Sequence, residues 1–375
     1  MQIAFTGLQA QTKRLRAEID ARIGRVIDHG QFIMGPEVFE LERRFRKFCG
    51  VRESITVANG TDALQIALMA AGVGRGDAVF IPSFTFTATA EVVLLLGAKP
   101  VFVDVDPVSF TMDCDDLERR IEIERRKGAR MKVVIAVDLF GLPADWPRLN
   151  EIARRHALLL IDDAAQSFGG ALYGKRVGAL APVTTTSFFP VKPLGCFGDG
   201  GAVFTDDGEL ATAMRSIRVH GQGAAKYDTT RLGVNSRLDT IQAAILLAKI
   251  DVLEDEIARR NQIANEYTRR LAGLVETPVV AAGRVSAWAQ YTIKSDRRTE
   301  LQKTLQEADV PTAVYYPKPM HLQPAYIAYG SGSLPVSEAL CEKVLSLPMN
   351  AYALSEEVEF VCAAVQSALV LRGVA

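Results

Sequence analysis

The chain has 375 residues, 49% hydrophobic and 23% charged, with a formal net charge of −1. That balance is ordinary for a globular protein. It argues against a nucleic-acid or membrane partner held by bulk electrostatics, while leaving room for anionic small molecules held by a few local cations. Five cysteines without a C-x-x-C pair and four histidines without zinc spacing point to reduced thiols, no metal centre and a cytoplasmic location. The first residues lack an apolar stretch of signal-peptide length, and no run is long enough to span a bilayer.

The length suits one large and one smaller domain. The expected division is 1–250, an N-terminal arm with a large domain, and 251–375, a small C-terminal domain. From about residue 55 short apolar runs alternate with stretches of helical length. Strands are expected at 55–58, 78–81, 100–105, 132–137, 157–161, 183–189 and 202–205. Helices are expected at 62–71, 85–96, 114–127, 144–156 and 208–219. Strands rich in Val, Ile and Leu, spaced by helices, make an α/β fold whose mostly parallel sheet is covered on both faces. Ligands in such folds bind beyond the carboxyl ends of the strands, which directs attention to 59–61, 84–87, 162–166 and 187–192. After residue 240 the pattern changes to one or two long amphipathic helices (242–271). A strand (288–294), a helix (299–308), a Tyr/Pro-rich stretch (314–323) and a final helix (356–370) complete a smaller α+β unit.

Lys192 stands among Phe188, Phe189, Pro190, Pro193 and Leu194. Burying an unpaired ammonium costs several kcal/mol, so such a lysine lies at an edge or is kept for chemistry. Desolvation lowers its pKa and makes it a better amine nucleophile. Upstream, Asp162-Asp163-Ala164-Ala165-Gln166 follows a strand. An aspartate there caps the next helix or pairs with a pyridinium nitrogen, keeping the ring an electron acceptor. Gln166, on the same side of one helical turn, is placed for the ring's phenolic oxygen. Asp162 and Asp163 compete for the nitrogen, and spacing does not choose between them. These two segments together point to pyridoxal phosphate.

Asn59-Gly60-Thr61-Asp62 runs from a strand into a helix, which is either an ordinary helix start or a phosphate cradle of free N–H groups with a threonine hydroxyl. Ser187 would add a second hydroxyl, and Phe86 would stack on a pyridine ring or serve as core. Arg237, in Gly233–Asp239, is a carboxylate fork or a surface arginine paired with Asp239. The glycines at 72–76 follow a helix, the wrong context for a dinucleotide turn, and those at 198–201 mark a tight turn before a strand. His29, His156, His220 and His321 are isolated and suggest no metal. Lys47, Lys175 and Lys249 are read as lying on polar faces.

The segments GQFIMGPEV (30–38), NGTDAL (59–64), PSFTFTATA (82–90), GAKPVFVDVD (97–106), DDAAQSFG (162–169), SFFPVKPLGCFGDGGAVFT (187–205), GVNSRLDTIQAA (233–244), YYPKPMHLQPAY (315–326) and LSLPMN (345–350) together resemble the DegT/DnrJ/StrS nucleotide-sugar aminotransferases. The resemblance implies a fold-type I, aspartate-aminotransferase-like α/β fold: a mostly parallel seven-stranded sheet with helices on both faces, plus the small α+β domain. It implies a homodimer with active sites shared between subunits. By matching positions Lys192 is the Schiff-base lysine, Asp163 the partner of the pyridine nitrogen, Gln166 the contact to the ring oxygen and Phe86 the stacking residue. Gly60, Thr61, the Asp62 backbone and Ser187 hold the phosphate, with Asn235 reaching in from the partner subunit. Arg237 on that loop anchors a carboxylate, and Met34, Tyr315, Tyr316 and His321 fall where the sugar nucleotide is expected. Lys226 is a further mobile cation for the substrate.

Two positions depart from the family's pattern: Asp162 where Glu is usual, and Tyr315 where His is common. The run Lys192-Pro193-Leu194-Gly195-Cys196 most resembles enzymes that use L-glutamate, releasing 2-oxoglutarate, to aminate C3 of UDP-2-acetamido-2-deoxy-3-oxo-glucuronate for surface polysaccharide such as the O-antigen of lipopolysaccharide. The alternatives are a C4 or other C3 aminotransferase of dTDP-, UDP- or GDP-linked 4-oxo-6-deoxy sugars, and a pyridoxal-phosphate-binding regulator without turnover. Sugar dehydratases of the same fold carry histidine at the Schiff-base position, so Lys192 speaks against that chemistry.

Overall fold

The computed structural model describes residues 3–225, 227–330 and 332–370. In chain order it forms α1 (Leu8–His29), α2 (Pro36–Cys49), β1 (Glu53–Val57), α3 (Gly60–Ala70), β2 (Asp77–Pro82), α4 (Ala88–Leu95), β3 (Lys99–Val103), α5 (Cys114–Arg126), β4 (Arg130–Val137), α6 (Trp146–Arg155) and β5 (Leu159–Asp163). There follow β6 (Ala171–Leu172), β7 (Lys175–Arg176), β8 (Val183–Ser187), β9 (Gly201–Thr205), α7 (Gly208–Ile217), α8 (Thr240–Ile250) and α9 (Leu253–Leu271). The remainder is β10 (Arg284–Val285), β11 (Tyr291–Lys294), α10 (Arg298–Glu307), α11 (Pro335–Lys343), β12 (Val344–Leu347) and α12 (Ser355–Val370).

Seven strands form one sheet in the order β1-β9-β8-β5-β4-β2-β3. The pairs among β2, β3, β4, β5 and β8 are parallel, and β9 runs antiparallel between β1 and β8. Both faces are covered, and the two-residue alternation of a strand decides which side chain faces which layer. Val79, Ile81, Val133, Ile135 and Ile161 join α3, α4 and α7 in one core. Their neighbours Ala78, Phe80, Val134, Ala136 and Leu160 join α5 and α6 in the other. A third core, built from α9, α10, α12 and the β11–β12 pair, occupies the C-terminal part of the chain.

The seven strands and the expected helices between them stand within a few residues of the sequence reading. The long helical stretch breaks at Asp251–Val252 into α8 and α9. The reading missed α1 and α2, which pack on either side of α8. That burial corrects one residue: Lys249 is not on a polar face but 1% exposed. Lys47 and Lys175 are exposed as expected. No helix among the described residues is long and apolar enough to cross a membrane.

Candidate active site

The parallel sheet brings the segments after β1, β2, β5 and β8 to one edge. Strand alternation separates the two adjacent aspartates that spacing left unresolved. Asp163 shares the face of Ile161, towards α3 and α4, where its Oδ2 accepts a hydrogen bond from Thr89 Oγ1 at 3.0 Å and its Oδ1 one from the Ala165 N–H at 3.2 Å. Asp162 faces the opposite layer, where Thr184 Oγ1 donates to its Oδ2 at 3.4 Å; its Oδ1 has no partner among the described residues.

A third acid, Asp138, lies behind them and was not singled out in the sequence, where it is one aspartate at a strand end. It accepts hydrogen bonds from the Ala144 N–H (2.8 Å), Trp146 Nε1 (3.1 Å) and Ser167 Oγ (2.9 Å). Burial raises the pKa of all three acids. Asp138 is pushed up to about 7, with Asp163 adding to the effect of burial. Asp162 is raised well above the carboxylate range by burial and then by Asp138 and Asp163. Asp163 differs: after burial and its two hydrogen bonds, the ammonium of Lys192 pulls its pKa back down.

Lys192 lies in a tightly closed loop. Its own N–H donates to Phe189 O at 2.9 Å, and the Cys196 N–H donates to Phe188 O at 2.8 Å. Gly195 makes the closure possible, since a Cβ there would stand 2.3 Å from Pro190 O. Burial lowers the lysine's pKa, opposed by the carboxylate of Asp163. A small polar cleft opens beside Lys192, lined also by Gln11, Arg260, Asn350 and Tyr352. None of these four was singled out in the sequence: they come from α1, α9 and the chain after β12, and only folding brings them together.

The start of α3 lies against the end of β8. A Cβ on Gly60 would stand 2.7 Å from Ser187 Cβ, so glycine here serves close approach rather than an unusual backbone angle. Ser187 is thereby brought to the helix N-terminus beside Thr61. The first N–H groups of a helix have no intrahelical acceptor, and those of Gly60 and Thr61 point out of α3. The Asp62 N–H is a correction to the expected cradle: it donates to the capping Asn59 Oδ1 at 2.8 Å.

Gln166 is fixed from both ends. Its Oε1 accepts the Phe140 N–H at 2.6 Å, and its Nε2 reaches Tyr316 Oη at 3.4 Å. Burial raises the Tyr316 phenol, with Gln166 opposing. The rings of Phe86 and Tyr315 lie 6.5 and 5.9 Å from that of Tyr316. Phe86 is 55% exposed, whereas Phe84 is buried. His321 departs from the expected sugar contact. It is 2% exposed, with Nδ1 at 2.6 Å from Ser83 Oγ and Nε2 at 3.2 Å from Glu338 Oε1. Both ring nitrogens are occupied, so His321 braces the chain after β2.

The 233–239 loop is tied to its own chain through Ser236. The Ser236 N–H donates to Arg218 O at 2.9 Å, and Ser236 Oγ accepts from the Ala58 N–H at 3.1 Å. Arg218 is in turn buried against Glu42 (2.6 Å) and Thr56 O (2.8 Å). Asn235 is left exposed, and the buried Nε of Arg237 has no partner among the described residues. Met34 is half-buried with a positive φ of 51°. Lys226 lies outside the described residues.

The model of the DegT/DnrJ/EryC1/StrS aminotransferase family matches residues 13–366. A Pseudomonas aeruginosa protein named UDP-2-acetamido-2-deoxy-3-oxo-D-glucuronate aminotransferase is 50% identical over 363 residues, 96% of this chain and 99% of its own. A Geobacillus stearothermophilus protein named pleiotropic regulatory protein is 42% identical over 96% of this chain and 97% of its own. Among solved structures, a DegT DnrJ EryC1 StrS aminotransferase from Brucella abortus superposes with a TM-score of 0.97 at 48% identity, covering 98% of this chain and all of that one.

Proposed function

The chain belongs to the DegT/DnrJ/EryC1/StrS aminotransferase family, and from that premise we propose that it moves the amino group of L-glutamate onto C3 of UDP-2-acetamido-2-deoxy-3-oxo-glucuronate. The observation that carries the chemistry is Lys192 facing Asp163: a half-buried amine whose pKa is lowered by burial, within electrostatic reach of one buried acid beyond the strand ends. The choice of acceptor rests on the relative that is 50% identical over nearly the full length of both chains.

The family's cofactor is pyridoxal 5'-phosphate, and the residues present fit it. Gly60 leaves a notch at the start of α3 that a Cβ would fill, beside the hydroxyl of Ser187. Unpaired N–H groups at a helix start, with flanking hydroxyls, suit a phosphate. We assign the phosphate to Gly60, Thr61 and Ser187, with the Asp62 N–H joining on release from Asn59. We assign the ring nitrogen to Asp163, the ring oxygen to Gln166 and a ring face to Phe86. When bound, pyridoxal phosphate supplies an aldehyde that captures amines and a ring that accepts electrons from the carbon being deprotonated.

The chain's own residues do the rest. Burial keeps a larger share of Lys192 as the free amine, the form that attacks a carbonyl and accepts protons. Lys192 Nζ removes the proton from the α-carbon of glutamate, which leaves as 2-oxoglutarate. In the second half-reaction the same nitrogen delivers a proton to the sugar carbon that acquires the amine. Asp163 holds its charge close to the reacting centre, and Gln166, clamped by Phe140 and Tyr316, fixes orientation. Met34, Tyr315, Tyr316 and Lys226 are assigned to the sugar nucleotide, with Arg237 taking a carboxylate bidentately.

We further propose a homodimer with shared sites, because the Asn235 side chain is exposed and the buried Nε of Arg237 has no partner among the described residues. Exposed Phe32, Ile33, Phe189, Val191 and Phe197 would be covered by the second copy. The proposed setting is the cytoplasm, with the amino sugar consumed in surface-polysaccharide assembly. The proposed domain division remains 1–250 and 251–375, supported by the separate core around α9, α10 and α12.

The test is to offer the enzyme glutamate with a panel of UDP-, dTDP- and GDP-linked ketosugars and to identify aminated products by mass spectrometry. Amination of the UDP-linked 3-oxo-glucuronate is expected. Products confined to 4-oxo-6-deoxy sugars would contradict the acceptor, and a chain that takes no amine from glutamate would be a regulator, as the name of the Geobacillus relative suggests for that protein.

A further inference from the structure

Lys249 is a buried cation that the proposed chemistry does not use. It lies on α8, a helix whose residues from Ala243 to Ile250 are all buried, where an apolar side chain would cost far less to bury than an ammonium. Its Nζ donates to Gly195 O at 2.7 Å and stands 4.5 Å from the centre of the Phe197 ring. Two titratable groups face it, the thiol of Cys196 and the carboxylate of Glu256. Burial pulls its pKa down to about 8 against both. The Glu256 carboxylate is itself held by Gln11 at 2.9 Å and by the Tyr352 hydroxyl. About two α8 turns earlier, Gln242 holds the same segment at a second point. Its Oε1 accepts the Phe197 N–H at 2.9 Å, and its Nε2 reaches Phe197 O at 3.4 Å.

Gly195 and Phe197 follow Lys192 by three and five residues; Gly195 lies inside the loop whose ends are joined by the Cys196 N–H and Phe188 O, and Phe197 comes directly after it. We propose that Lys249, assisted by Gln242, is a positioning residue for the reactive lysine: it anchors the 192–197 loop to α8 and so fixes where the Lys192 amine stands relative to Asp163. The buried ammonium is retained because it holds a backbone carbonyl of the loop at a point no apolar side chain can hold. This inference rests on the reading of Lys192 as the reactive amine.

The test compares Lys249→Met, Gln242→Ala and Lys192→Ala as full-length, cofactor-loaded enzymes. Four quantities are read: kcat per cofactor-bearing site, KM for glutamate, the melting temperature, and amide hydrogen exchange of the peptide spanning 190–198. Lys249→Met and Gln242→Ala are expected to lower kcat by about 10- to 100-fold, the scale of an ångström-sized misplacement, with KM changed by less than about 2-fold. Exchange in 190–198 should rise in both while the remaining protection stays. A merely structural role would lower the melting temperature and leave kcat per loaded site unchanged, which overturns the proposal. Gln242→Ala alters no charge and removes only a half-buried side chain, so it decides the matter if Lys249→Met fails to fold. If Lys192→Ala turns over normally, the underlying reading fails and takes this inference with it. If Lys192→Ala is dead and the two α8 variants keep full kcat, this inference alone fails.

Discussion

Asp162 and Asp163 are consecutive residues that face opposite layers of the sheet: Thr89 on α4 donates to Asp163 at 3.0 Å, and Thr184 on β8 donates to Asp162 at 3.4 Å. Only Asp163 is coupled to Lys192. Asp163→Asn is therefore expected to lower kcat by about 1,000-fold or more, as loss of a charge set against the reacting centre does elsewhere. Asp162→Asn should stay within about 10-fold of wild type, because burial already favours an uncharged side chain there. Steady-state kinetics of the two variants check this, and equal losses would contradict the assignment.

Gly60 and Ser187 give a prediction about the cofactor. Gly60→Ala would place a Cβ 2.7 Å from Ser187 Cβ, an overpacking worth about 1–3 kcal/mol. The strain is relieved by moving the start of α3 off β8, which opens the phosphate cradle. Equilibrium dialysis should show cofactor affinity down by about 10-fold or more, with kcat of the loaded enzyme much less affected. Ser187→Ala should weaken affinity by a smaller factor, consistent with one hydrogen bond.

Asp138 gives a prediction about pH. Its folded-state pKa of about 7 lies above the unfolded value of about 3.9. Its contribution to stability is thus fully present below about pH 4 and is lost as pH rises towards 7. Asp138→Asn cannot ionise, so its stability relative to wild type should improve across that window, by at most about 1.4 kcal/mol per pH unit. Chemical denaturation at a series of pH values measures the difference. The stability of the variant minus that of wild type should rise from pH 4 to 7, and a difference that falls over that range would contradict it.

Shared active sites can be tested by mixing. Lys192→Ala and Arg237→Ala should each be inactive alone. If Arg237 serves the site of the other subunit, a heterodimer of the two carries one intact site. After subunit exchange about a quarter of sites should regain activity, since half of the dimers are mixed and each has one good site. No recovery after exchange, verified by mass spectrometry of intact dimers, would place Arg237 in its own chain's site.

Much of this arrangement was legible in the chain before folding. Most of the buried strands write themselves as apolar runs, β8 (VTTTS) being threonine-rich, so the sheet could be read from the chain together with the strand-end positions of Thr61, Asp163, Gln166 and Lys192. α2 was legible too, since Val38, Leu41, Phe45 and Cys49 follow a helical stripe that the reading passed over. α1 was harder, because it is mostly polar and buries only Gln11, Leu15, Ile19 and Val26. Two of the remaining errors share one cause: a polar residue's burial is decided by elements distant in sequence. Lys249 is enclosed by the 195–197 segment and Glu256, and His321 by Ser83 and Glu338; the Asp62 N–H differs, being taken locally by Asn59 of its own helix cap.

The central claim is that Lys192 Nζ carries out amine transfer from glutamate to a UDP-linked 3-oxo sugar. It is tested most directly by incubating wild type and Lys192→Ala, each loaded with pyridoxal phosphate, with [15N]glutamate and UDP-2-acetamido-2-deoxy-3-oxo-glucuronate and measuring 15N in the sugar. The account predicts label at C3 with wild type and none above background with a folded Lys192→Ala. Equal labelling by the two proteins would contradict it.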